Sequence, residues 1–75
     1  TPEAMVLGCM AVLRKAGMSK EGAVQHYERL LEHHHLTADQ VSAALPGIML
    51  GGGFPSMDDA REHLLALCPD LEGQI

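Results

Sequence analysis

The sequence predicts an all-α fold, a compact bundle of about four helices with a glycine-rich loop before the last. Two observations carry that prediction. Four helix starts are written into the chain as cap signals, and behind each of them apolar residues recur at steps of three and four. A third points the same way: no run alternates apolar with polar residues as a half-buried strand would, and no segment repeats another.

The first helix is expected over residues 2–16. Thr1-Pro2-Glu3 places an N-cap, a first-turn proline and a first-turn acid in order, and Gly17 suits the position just past the helix end. Ser19 opens the second, 19–34, with Ala23, Val24, Tyr27, Leu30 and Leu31 as its apolar stripe. Thr37-Ala38-Asp39-Gln40 reads as a capping box for a short third helix, 38–45, which Pro46-Gly47 is expected to stop. Ser56-Met57-Asp58-Asp59 starts the fourth, 57–68, with two acids at its positive end. Between the last two, GIMLGGGFP reads as a loop that packs Ile48, Met49, Leu50 and Phe54 downward around Gly51, Gly52 and Gly53. Residues 1–70 make a single helical domain and 71–75 a frayed tail.

Composition limits the function classes. With one Tyr, one Phe and no Trp, the core must be built from Leu, Val, Ala and Met. Ten carboxylates against five Lys and Arg give a net charge of −5, the wrong sign for gripping phosphates, so nucleic acid is an unfavoured partner. The uncharged run AMVLGCMAVL, residues 4–13, is half the length of a bilayer span, and no membrane partner is expected. Cys9 and Cys68 are too few for a disulfide framework and are expected as buried thiols, consistent with a cytoplasmic location. A first residue of Thr instead of Met implies processing or a longer parent polypeptide.

That same run poses the main functional question, because a helix apolar on every side must be covered on every side. Either the other three helices wrap the first, or a second copy or another protein completes the cover. Ala4, Gly8 and Ala11 form a small-residue strip where another helix can approach closely, and Met10 and Val12 project beside it. Together with Ile48, Met49, Leu50 and Phe54 of the glycine loop, these residues are the expected interaction surface.

The side chains that could carry chemistry are less persuasive. His33-His34-His35 points in three directions about 100° apart on a helix and cannot close on one ion, and His26 with His33 would need a third ligand such as His63 or Cys68. No metal site, cofactor or catalytic residue is therefore assigned. A Cys–His nucleophile has no flanking signature, and the triple glycine lacks the Lys or Arg a phosphate would need and runs into Asp58-Asp59. HHHLTADQVSAAL has the outline of a helix-turn-helix, yet its second helix would offer Asp39, Gln40, Ser42 and Ala43 with no cation to hold phosphates. The expected function is a non-catalytic helical protein-protein interaction module, a docking, adaptor or small regulatory domain able to self-associate. A nucleic-acid-binding regulator is the alternative and a histidine-rich metal-responsive protein the third reading.

Overall fold

Each expected helix start carries its cap. In the computed structural model, which describes all 75 residues, α1 spans Pro2–Lys15, α2 Lys20–His34, α3 Ala38–Gly51 and α4 Met57–Leu67, followed by one 3₁₀ turn at Pro69–Leu71. The Thr1 hydroxyl accepts from the Ala4 N–H at 3.2 Å, Ser19 from Gly22 at 3.2 Å and Ser56 from Asp59 at 3.0 Å. At α3 the box is reciprocal: Thr37 Oγ1 accepts from the Gln40 N–H at 3.1 Å, and Gln40 Oε1 accepts from the Thr37 N–H at 2.7 Å. These bonds satisfy N–H groups that a helix start leaves without backbone partners.

The third helix departs from expectation at its far end. The sequence reading stops it at Leu45 and assigns Ile48, Met49 and Leu50 to the loop, whereas α3 continues through Pro46 to Gly51. Proline removes the donor that would have met the Ser42 carbonyl. Ser42 and Pro46 are both exposed, however, so water can satisfy that carbonyl. The following turn is held by burial: Ile48 stands two turns after Val41, and both are buried on the side of α3 that packs on α1. The glycine loop shrinks to residues 52–56, where Gly52 at φ +73° and Gly53 at φ +123° take angles that side chains with a Cβ rarely adopt.

The C-terminal residues also differ from the expected frayed tail. Leu71 is buried after its 3₁₀ turn, and Ile75 is partly buried against the core.

The other three helices cover most of α1 but not all of it: Leu7 and Met10 are only partly buried and Ala11 is exposed. α2, α3 and α4 each pack along α1 and touch one another little. The main core is Val6, Cys9, Val12 and Leu13 of α1, Ala23 and Leu30 of α2, Ala60 and Leu64 of α4, and Cys68 and Leu71 after it. None of these comes from α3. Gly8 explains how α1 and the approach to α4 come so close, since a Cβ there would stand 2.5 Å from Pro55 Cγ and 3.3 Å from Ala60 Cβ.

Candidate functional site

The residues expected at an interaction surface divide into two groups. Ala4, Gly8, Val12 and Ile48 are buried inside the fold, where the small-residue strip receives Pro55 and α4 of the same chain. Ala11, Met49, Leu50 and Phe54 are exposed, and Met10 is half-buried. Met49 is 65% exposed, Leu50 90% and Phe54 46%, which are high values for large apolar side chains.

Met10 belongs to a groove that the sequence reading missed. Because α2 and α3 both sit on α1 but scarcely meet, they leave a cleft of about 270 Å³ with α1 as its floor. Leu7 and Met10 form the floor, Val24 and Tyr27 the α2 wall, and Val41, Ser42 and Leu45 the α3 wall. Val24, Tyr27, Val41 and Leu45 are visible in the sequence as members of helical stripes. What hid the groove is that periodicity shows a side chain belongs to an apolar stripe without showing that the neighbouring helix stands too far away to cover it.

Met49 follows Leu45 by one turn on α3, so the apolar surface runs from the groove onto an adjoining ridge at Met49 and Leu50. No charged residue interrupts residues 40–57. Groove and ridge together make a face without titrating carboxylates on a chain of net charge −5.

A second constellation lies where the end of α2 meets α4. His34 Nε2 and His63 Nε2 are 2.9 Å apart, a hydrogen bond in which one neutral ring donates its N–H to the bare nitrogen of the other. His33 stands edge-on to His34 with ring centroids 4.8 Å apart, and 6.1 Å from His63. Burial lowers the pKa of His34 below its ordinary value, with smaller contributions from His63 and His33 opposed by Glu3. Burial also lowers His63, helped by His33. The residue spacing gave no sign that His63, 29 positions away from His34, closes on this helix end.

The two thiols are free and buried, as expected. Cys9 Sγ–H donates to the Ala60 carbonyl at 3.5 Å, and burial followed by the neighbouring Cys68 pushes its pKa up to about 11. A thiol held neutral in this way is a packing group and a poor nucleophile.

No helix is long and apolar enough to cross a membrane. Compared with protein-family models, with curated proteins and with solved structures, the chain matches none, so its function is to be read from the groove, the ridge and the histidines.

Proposed function

We propose that this chain is a non-catalytic helical interaction module that binds through the face formed by the α2–α3 groove and the α3 ridge, and that a second copy of the chain is its partner. The observation that carries the reading is the placement of a ridge beside a groove on one uncharged face. In a twofold pair, Met49 and Leu50 of each copy enter the groove of the other, so a single surface supplies both halves of the contact. Charge favours the same choice. Two copies at −5 repel one another, and residues 40–57 are the longest stretch along which they can meet without bringing carboxylates together.

Burial of the ridge supplies part of the driving force. Burying Met49 and Leu50 yields about 1.5–3 kcal/mol for each side chain. A standard interface covers about 800 Å² per partner, roughly a sixth of the 4669 Å² surface of the chain. The lining side chains suit docking better than catalysis, since none is a carboxylate, imidazole, thiol or amine.

Light scattering on the untagged chain across micromolar to millimolar concentrations tests the reading. A dimer is expected, and Leu50→Glu is expected to return it to monomer with an unchanged melting temperature at high dilution. A chain that stays monomeric over the whole range rejects self-association and transfers the face to a different protein.

A further inference from the structure

The histidines at the end of α2 have an arrangement that neither the helix caps nor the interaction face explains. Neutral imidazoles bind borderline divalent ions through a bare ring nitrogen, and such ions hold them at about 2.0–2.1 Å. With the nitrogen about 1.1 Å from the ring centre, three imidazoles on a tetrahedral ion have centroids about 5.2 Å apart. The separations here are 4.8 Å for His33–His34, 5.0 Å for His34–His63 and 6.1 Å for His33–His63. Each lies within about 1 Å of that requirement.

We propose that His33, His34 and His63 form an open three-histidine site for a borderline divalent transition-metal ion, zinc being the type case, bridging the end of α2 to α4. In the metal-free arrangement only two nitrogens converge, and no group of three ligands is yet in place. The ion takes the position of the proton shared between His34 and His63. On binding, the donor ring moves that proton from Nε2 to its own Nδ1, so both rings stay neutral and each presents a bare Nε2, and the two nitrogens separate from 2.9 Å to about 3.3 Å, the spacing of tetrahedral ligands at these bond lengths. His33 is exposed, and the site requires its ring to turn so that it supplies the third nitrogen. The fourth position is left to water.

Consecutive helical residues diverge by about 100°, which argues against a run of three histidines on one ion. That objection does not apply to this set. His33 and His34 flank the line toward α4, and His63 comes from α4 to meet both, while His35 is the left-handed cap residue and takes no part. Because α2 and α4 otherwise touch little, an ion here ties together two elements whose main common support is α1.

The experiment is calorimetric titration of the untagged, chelator-treated chain with zinc chloride at neutral pH, alongside thermal melts with and without zinc. One ion per chain and a higher melting temperature are expected. His34→Gln and His63→Gln should each weaken binding at least tenfold and remove the thermal shift. His33→Gln should weaken it several-fold, and His35→Gln should leave it unchanged. Circular dichroism of each variant separates lost ligation from lost folding. Absence of binding at 100-fold excess zinc overturns the site, as does binding that survives His63→Gln. Affinity unchanged in His33→Gln overturns its three-ligand form.

Discussion

α1 and α3 are each 14 residues long, are both rich in apolar side chains, and meet opposite fates. α1 is covered on three sides and gives Val6, Cys9, Val12 and Leu13 to the main core. α3 gives that core nothing. It rests on α1 through Val41 and Ile48 and holds Met49 and Leu50 out to solvent. The difference is one of place in the topology: a helix touched by three others buries most of its surface, whereas a helix touched by one leaves most of its own exposed. Apolar content says how much surface wants cover, and connectivity decides where cover is found.

The largest effects should separate the two helices most clearly. Leu13 and Leu64 are fully buried where α1 meets α4, and Leu13→Ala or Leu64→Ala should each remove about 2–5 kcal/mol of folding stability through lost transfer energy and the cavity left behind. Leu50→Ala on α3 should change it by no more than about 0.5 kcal/mol in the monomer. Urea unfolding of the three variants at one low concentration makes the comparison. A loss at Leu50 as large as at Leu64 would mean that α3 belongs to the core after all.

Gly8 tests how tightly α1 is held. Any Cβ at this position meets the rigid ring of Pro55 at 2.5 Å, so the loop before α4 must move. Gly8→Leu should destabilise the fold by about 1–3 kcal/mol through overpacking, which corresponds to a fall in melting temperature of about 4–8 °C per kcal/mol for a domain of this size. Its effect on association should be no larger than the loss of folded chain explains, because Gly8 faces inward onto Pro55. Dissociation of a still stable Gly8→Leu chain would return the strip to the interface.

Local chemistry made most of the fold legible. The four caps are side-chain to backbone bonds within three residues, and all four are present. The end of α3 was not legible, because proline stops a helix only where its lost hydrogen bond is not outweighed. Here Ser42 faces water, and Ile48 secures the next turn from a helix distant in sequence. The candidate sites were hidden for the same reason. The sequence reading packs Met49, Leu50 and Phe54 down from the loop while also offering them to a partner, and the structure overturns the packing by leaving all three exposed; the groove needs the gap between α2 and α3, and the histidine set needs His63 beside His34. The small-residue strip was sound as physics, since a close approach does occur at Gly8. Its partner lies within the same chain.

The smallest expected effect comes from the contact that joins α2 to α4. His34 and His63 both have pKa values below the ordinary 6.5 in the folded chain, chiefly through burial. Around His34, the neighbouring His63 and His33 strengthen the lowering and Glu3 of α1 opposes it; around His63, His33 strengthens it. Above pH 6.5 both rings are neutral in the folded and unfolded chains alike, and they add no pH dependence. As pH falls through that value the unfolded chain takes up protons first, so unfolding becomes more favourable and stability declines until the folded pKa values are reached. The metal-free chain should therefore melt at a lower temperature as pH is reduced from about 7 to about 5.5, a range above most carboxylate titration. His34→Gln combined with His63→Gln should flatten that slope, while His35→Gln, at a residue that makes no such contact, should keep it. The same acid region should weaken zinc binding in the parent chain, since protons and the ion compete for the same nitrogens. Equal slopes in the parent and the double variant would show that the 2.9 Å contact leaves the two rings as free to protonate as in the unfolded chain.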